Sequence, residues 1–280
     1  MKINSMSEAL LYGRNFLKQE NVDSYIIDSK VLLMNVCGIT AVEIYVKDEI
    51  TEQEFSKYKD MLQQRASKRP VAYIINNVEF MSLDFYVDSS VLIPRPDTEI
   101  LVETSIEYIS QNKYKSVLDI GTGSGAIAIS IGKYTQIPEL TAVDISDKAL
   151  TVAKKNATFH NVKVDFIQSD LFECVERKFD IIVSNPPYIS TSIIGSLGEN
   201  VKNYEPLIAL DGGEDGLDFY RSLVENAKLY LNCDGMILFE IGHDQGVQVY
   251  NLLETYGFCN ITIKKDLAGL DRVVYGTLPQ

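Results

Sequence analysis

Ser116-Val117-Leu118-Asp119-Ile120-Gly121-Thr122-Gly123-Ser124-Gly125 decides the fold. An apolar run of strand length ends in an acid and passes into three alternating glycines, and the helical pattern Ala126 to Tyr134 follows. Glycines let a backbone turn tightly and approach a ligand closely, and the helix start behind them offers unpaired N–H groups. Such a loop suits a dinucleotide, a phosphate or S-adenosylmethionine, and a purely structural tight turn has the same look. The spacing lacks the third glycine position of the dinucleotide fingerprint, and no Gly-Lys-Ser/Thr follows.

Outward from that loop, strand-like and helix-like segments alternate. Leu140 to Asp144, Val164 to Gln168, Asp180 to Ser184 and Gly235 to Ile241 read as strands; Lys148 to Phe159 and Leu217 to Leu231 read as helices. Continuous apolar strands separated by helices imply a parallel sheet covered on both faces. Cys259 to Lys264 and Arg272 to Gly276 leave no room for a helix between them, which predicts an antiparallel pair at the sheet edge. Upstream, residues 1–70 carry apolar residues at helical spacing, with helix starts expected at Ser7-Glu8 and at the capping-box pair Thr51 and Glu54. Residues 71–92 are expected to form short strands or a β-hairpin linker. The fold class is therefore α/β, a Rossmann-like sheet over residues 93–280 with an antiparallel edge, joined to a small helical N-terminal domain.

Three acids sharpen the choice of cofactor towards S-adenosylmethionine. Asp119 precedes the glycines, where its carboxylate could accept from the ammonium group directly or through water. Asp144 ends the next strand, where a ribose diol is commonly gripped. Asp170 follows the strand after that and could accept from the adenine amino group, with Leu171 covering the ring. Each acid alone could be a helix cap or a solvated turn residue, but the ends of successive parallel strands share one crevice. Gly121, Thr122, Gly123, Ser124, Gly125, Thr98 and Asn185 complete the candidate cofactor contacts. Asp97, Thr98 and Glu240 either line the methionine end of that pocket or support it. Asp97 or Thr98 is also placed to cap the helix that runs through Ile100, Leu101 and Val102.

A second motif, Asn185-Pro186-Pro187-Tyr188, ends the strand Asp180 to Ser184. An amide or exocyclic amine nitrogen is a poor nucleophile because its lone pair is delocalised. Acceptors for both of its N–H bonds would hold that nitrogen towards a methyl donor and favour the lone pair localising on it. The Asn185 side-chain carbonyl and the Pro186 backbone carbonyl are the two expected acceptors, Pro187 stiffens the turn, and Tyr188 can stack on the planar group. Transfer from a sulfonium needs alignment and desolvation more than a strong base. The only histidines, His160 and His243, sit where a helix end and a surface loop are expected.

The net charge of −13 is uneven: residues 1–86 hold ten Lys/Arg against twelve Asp/Glu, and the rest sixteen against twenty-seven. Gripping nucleic acid through its phosphates requires a basic face, so bare DNA or RNA is disfavoured, although Arg65, Lys68 and Arg69 could still touch a phosphate. Cys37, Cys174, Cys233 and Cys259 are scattered, without a CxxC pair or a histidine at ligand spacing, so neither metal site nor disulfide framework is expected. The N-terminus lacks an apolar signal core and no apolar stretch is long enough for a membrane span, so a cytoplasmic monomer is expected.

Asn185-Pro186-Pro187-Tyr188 together with Asp119 to Gly125 resembles the amino-methyltransferases, which modify adenine N6, guanine N2 or glutamine N5. Val91-Leu92-Ile93-Pro94-Arg95-Pro96-Asp97-Thr98-Glu99, Tyr204-Glu205-Pro206, Ala209-Leu210-Asp211-Gly212-Gly213-Glu214-Asp215-Gly216 and Asp266 to Arg272 narrow the choice. Over nearly its whole length the chain is similar to the peptide chain release factor glutamine methyltransferases. It departs in carrying Asp97 where many members have Glu and Leu171 where Trp is common. The resemblance implies methylation of the glutamine of a Gly-Gly-Gln loop in bacterial class 1 release factors, with cofactor contacts at Gly121 to Gly125, Asp144 and Leu171 and substrate contacts at Asn185 to Tyr188. It would also make the helical domain a docking module, where the plainer reading is a stabilising cap. An acidic enzyme suits such a substrate, which itself binds RNA and presents basic surface. A DNA or RNA amino-methyltransferase acting on a flipped base is the alternative.

Overall fold

The computed structural model describes residues 5–279. They form two compact units, one running to Asn77 with Gly198–Tyr204 added, the other Val78–Leu197 with Glu205 onward.

The first unit holds α1 (Met6–Gln19), α2 (Tyr25–Cys37), α3 (Glu52–Ala66) and α4 (Val71–Ile75). Both α1 and α3 begin with reciprocal capping boxes, Ser5 with Glu8 and Thr51 with Glu54. The first helix thus starts before the expected Ser7, because Ser5 is the hydroxyl that reaches the Glu8 N–H. Leu17, Leu32, Leu33, Tyr58 and Leu62 are fully buried between the helices, and the Tyr58 hydroxyl donates to the Ser29 carbonyl at 2.9 Å. The strand expected from Val71 is instead α4: Pro70 sits at its N-cap, its carbonyl accepts from Tyr73 and Ile74, and left-handed Asn76 ends the helix. Val71, Ile74 and Ile75 pack into the helical core, so helical packing overrides the β-branched local preference. The basic cluster is also committed internally. Arg65 pairs with Asp28 at 2.6 Å, Lys68 donates to the Glu20 and Asn21 carbonyls, and Arg69 donates to Gln64.

In the second unit the hairpin is confined to β1 (Val78–Phe80) and β2 (Leu83–Phe85), turning at Met81 and Ser82, both with positive φ. The chain continues through α5 (Glu99–Asn112), β3 (Ser116–Ile120), α6 (Ala126–Tyr134), β4 (Glu139–Asp144), α7 (Asp147–His160), β5 (Asp165–Gln168) and β6 (Phe179–Ser184). Two one-turn helices follow, α8 (Thr191–Ile194) and α9 (Glu199–Lys202), the latter within the first unit. Then come α10 (Asp218–Tyr230), β7 (Leu231–Glu240), α11 (Gly246–Thr255), β8 (Cys259–Lys265) and β9 (Asp271–Thr277).

The 7-stranded sheet has the order β5-β4-β3-β6-β7-β9-β8; β5 through β7 run parallel, and β9 joins both β7 and β8 antiparallel. The expected fold class and antiparallel edge are both present. Every residue of β3 is buried, since both faces are covered. Val117 joins the core under α5 and α6, while Leu118 and Ile120 join the core under α10 and α11. Side-chain alternation along a strand makes this division. Among the described residues no helix is long and apolar enough to cross a membrane.

Candidate active site

β3 lies between β4 and β6, so the chain leaves β3 at the point where the strand order reverses. Ligands of such sheets bind outside the carboxyl ends of the strands at that point. A cavity of about 320 Å³ opens there, inside the size range of small-molecule sites, roughly 300–1,000 Å³. Its wall combines Gly121 to Ser124, Asp144, Asp170, Leu171, Asn185 to Pro187, the strap Ser90 to Leu92, and Thr98. All of them belong to the sheet unit.

The glycine loop is shaped by backbone. Gly121, Gly123 and Gly125 all have positive φ, and at Gly123 no heavy atom lies within 4 Å of where a Cβ would stand. Gly121 and Thr122 both donate to the Val143 carbonyl, which anchors the loop to the neighbouring strand. Gly123 donates to Asp144 Oδ2 at 2.8 Å, and Ser146 donates to Asp144 Oδ1 at 2.9 Å. Burial raises the Asp144 carboxyl while these two N–H groups hold it down. Asn156, which no sequence motif flags, pins the loop from beneath. Its amide donates to the Ser124 and Tyr86 carbonyls and its oxygen accepts from the Tyr86 N–H, so glycine loop and hairpin exit move as one.

Asp119 is completely buried behind the loop and is not among the residues that line the cavity. Its Oδ2 accepts from the Thr122 hydroxyl at 2.6 Å and the Ala128 N–H at 3.2 Å. Its Oδ1 has no partner among the described residues. Burial pushes this carboxyl up to about 7. A buried acceptor without a donor is costly, and a nearby cation or a bridging water would relieve it. That requirement fits the ammonium end of S-adenosylmethionine. Leu171 holds a left-handed backbone, φ 47°, clamped where the Ser169 hydroxyl donates to its carbonyl at 3.0 Å. Strained backbone at a cavity wall is characteristic of ligand contacts.

The acceptor loop is shaped by bracing. Asn185, Pro186 and Pro187 line the cavity, and Asn185 Nδ2 donates to Thr98 Oγ1 at 3.2 Å. With its nitrogen engaged, the Asn185 oxygen is the free end. Thr98 makes no helix-cap bond and Asp97 pairs with Arg272 at 3.2 Å, so the expected cap at Ile100 is replaced by contacts to the site. Behind the loop, the Ile189 N–H donates to the Leu210 carbonyl, the Gly212 N–H donates to the Ile189 carbonyl, and Gln245 donates to the Tyr188 and Gly216 carbonyls. Gly216 packs so close that a Cβ there would meet the Tyr188 carbonyl oxygen at 2.4 Å. Tyr188 itself is not among the residues that line the cavity and packs half-buried against the core on the α10 side of the sheet. Burial, then the nearby Glu240, push its hydroxyl up to about 12.

Two of the narrow motifs meet in one salt bridge. Arg95 donates to Glu205 at 2.5 Å, and the other Glu205 oxygen accepts from the Ile93 N–H, which ties Glu205 to the segment next to the cavity-lining strap. Sequence reading missed this pair because the residues are 110 positions apart.

Residues 96–196 match a family model described as methyltransferase small domain, and residues 8–75 match one described as PrmC N-terminal domain. The chain is 46% identical over 276 residues to the release factor glutamine methyltransferase of Clostridium acetobutylicum, covering 96% of this chain and 97% of that one. To the release factor glutamine methyltransferase of Geobacter sulfurreducens it is 37% identical over 280 residues, covering 99% and 98%. A solved structure of a methyltransferase from Pyrococcus furiosus aligns with TM-score 0.52 at 18% identity, covering 72% of this chain and 91% of that one, and shares the fold.

Proposed function

The chain belongs to the release factor glutamine methyltransferase family, and from that premise we propose that it methylates the side-chain N5 of the glutamine in the Gly-Gly-Gln loop of bacterial class 1 peptide chain release factors. It is an S-adenosylmethionine-dependent methyltransferase, and release factors are its substrates. The observation that carries the choice of acceptor is the Asn185 amide, whose nitrogen is tied to Thr98 so that its oxygen is left to accept from a substrate NH2.

Bound S-adenosylmethionine supplies an electrophilic methyl group. The residues that would hold it are Gly121 to Gly125, Asp144 beside the ribose, and Asp170 and Leu171 at the adenine, with Asp119 countering the ammonium from behind the loop. Asn185 Oδ1 and the Pro186 carbonyl accept the two N–H bonds of the glutamine amide. This orients the nitrogen and favours its lone pair turning out of conjugation. Pro186 and Pro187 restrict the backbone, and Gln245 and Gly216 brace it from behind, so the acceptors are placed before the substrate arrives. The strap Ser90 to Leu92 and Arg95, held by Glu205, line the cavity, and their packing around a bound substrate would help to exclude water. Alkylated amide nitrogen is strongly acidic, so its proton leaves to solvent without a dedicated base. His160 is held against the Asp84 carbonyl at the end of α7, and His243 lies on an exposed loop.

The helical unit is the docking module, and the acidic sheet unit complements a basic, RNA-binding protein substrate. The enzyme works as a cytoplasmic monomer without gripping nucleic acid directly. Incubation with labelled S-adenosylmethionine and either a purified class 1 release factor or duplex DNA tests the reading. Label is expected on the release factor, and label on DNA with none on the release factor would overturn it.

A further inference from the structure

We propose that the turn Asp266 to Leu270, between β8 and β9, is a second contact for the protein that carries the acceptor glutamine, with Leu267 and Leu270 entering an apolar hollow beside that glutamine's loop. The inference rests on the reading of a release factor as the substrate, and it names a surface for that substrate outside the cavity.

A lone exposed leucine means little, so the case rests on how this one is held and where it stands. Leu267 at the tip of the turn is fully exposed, and Leu270 is 43% exposed. Beneath them the Asp266 N–H donates to the Leu270 carbonyl at 2.8 Å and the Gly269 N–H donates to the Asp266 carbonyl at 3.0 Å. Asp266 Oδ1 accepts from the Ala268 and Leu270 N–H groups, both at 2.9 Å, and its Oδ2 accepts from Arg272 at 3.1 Å. Lys265 closes the base, donating to the Gly269 carbonyl at 3.2 Å and to Asp271 at 2.5 Å. A turn pinned at this many points presents its leucines in one place, which lowers the ordering cost of burying them against a partner.

The place is the active-site end of the sheet. Val273 pairs with Glu240, the last residue of β7, and the Ile241 N–H donates to the Arg272 carbonyl. The turn therefore projects past the carboxyl ends of the parallel strands, where the cavity opens. Two contacts tie it to the acceptor loop: Arg272 pairs with Asp97 at 3.2 Å, and the next residue, Thr98, accepts from Asn185 at 3.2 Å. A protein holding its glutamine at Asn185 has this turn within reach.

Other occupants fit less well. Residues 87–280 carry sixteen Lys/Arg against twenty-seven Asp/Glu, and Lys265 and Arg272 are engaged within the turn, so anionic lipid and nucleic acid are disfavoured. Two leucine side chains supply far less than the roughly 1,200 Å² that a stable interface buries, which argues against a second copy of this chain. A substrate already held at the acceptor loop needs only a small added contact, because the second attachment is made at high effective concentration.

The test compares wild type with Leu267→Ser, Leu267→Met and Leu229→Ser on purified release factor, with folding checked by thermal melting. Leu229 is also exposed, at 66%, but it ends α10 two residues before β7 begins, at the opposite end of the strands, and serves as the control. Leu267→Ser should raise the release factor KM about ten- to hundredfold, the worth of one buried leucine, while kcat and the calorimetric cofactor Kd move less than about threefold. Leu267→Met, which keeps the apolar bulk, and Leu229→Ser should leave KM within about threefold. Independently of turnover, photoreactive benzoylphenylalanine in place of Leu267 should crosslink to the release factor, and in place of Leu229 should not. An unchanged KM in Leu267→Ser, an equal loss in Leu229→Ser, or crosslinking of position 267 only to a second copy of the enzyme would overturn the proposal while methylation by wild type left the substrate assignment standing. A wild type that neither methylates nor captures the release factor would overturn the substrate assignment and the proposal with it.

Discussion

The glycine loop after β3 and the acceptor loop after β6 end adjacent strands and share one cavity, yet they are built by opposite means. The first relies on freedom: three glycines at positive φ shape a backbone that follows the ligand. The second relies on restriction: two prolines, a tied asparagine and a ring of partners hold acceptors still. A loop that binds can tolerate some adjustment, because binding energy can pull it into place. Aiming a lone pair is less forgiving, since displacement of about 1 Å can cost about a hundredfold in rate. The two loops should therefore fail differently when altered.

The sharpest break should come from Asn185→Ala, which removes an aimed acceptor. Single-turnover transfer is expected to fall about 10²–10³-fold while cofactor affinity changes less than about threefold. An equal loss of affinity would place Asn185 in the cofactor pocket instead. Gly216→Ala tests the bracing: its Cβ would collide with the Tyr188 carbonyl, so turnover should drop about ten- to hundredfold, with calorimetric cofactor binding little changed. Gly123→Ala reverses the pattern. It has open space around it and only left-handed backbone strain to bear, about 1–2 kcal/mol, so cofactor Kd should rise about 5–30-fold and turnover at saturating cofactor should hold.

The smallest effect is a pH dependence of stability without cofactor. Asp119 and Glu240 both have carboxyls raised to about 7, above their unfolded values, so the folded state binds more protons between the two values. Their favourable contribution is complete below the unfolded pKa and is lost as pH rises through about 7. Melting temperature should therefore fall by a few degrees between about pH 6 and about pH 8, and Asp119→Asn should flatten part of that slope in differential scanning calorimetry. A slope unchanged by Asp119→Asn would mean that the group does not titrate there.

How much of this was legible in the sequence follows the same contrast. Gly121, Gly123 and Gly125 are themselves the device that shapes their loop, so the sequence displays it. Asn185 to Tyr188 were legible as acceptors for the same reason. Their bracing was not: Thr98 lies 87 positions from Asn185, Gln245 57 from Tyr188, and Glu205 110 from Arg95. Contacts of that range are set by strand order, which periodicity does not encode. Val71–Ile75 show the complementary limit, since β-branched residues after a proline looked like a strand and became a helix when packed against α2 and α3. Asp119 stood at the expected strand end, but only the packing reveals that it faces the loop's underside.

Tandem mass spectrometry of a release factor treated with this enzyme and labelled S-adenosylmethionine tests the central claim at the level of the atom. A single methyl on the side-chain nitrogen of the Gly-Gly-Gln glutamine, absent with Asn185→Ala, is the predicted result. A methyl on any other residue, or an unmodified release factor beside methylated adenine in a DNA control, would contradict it.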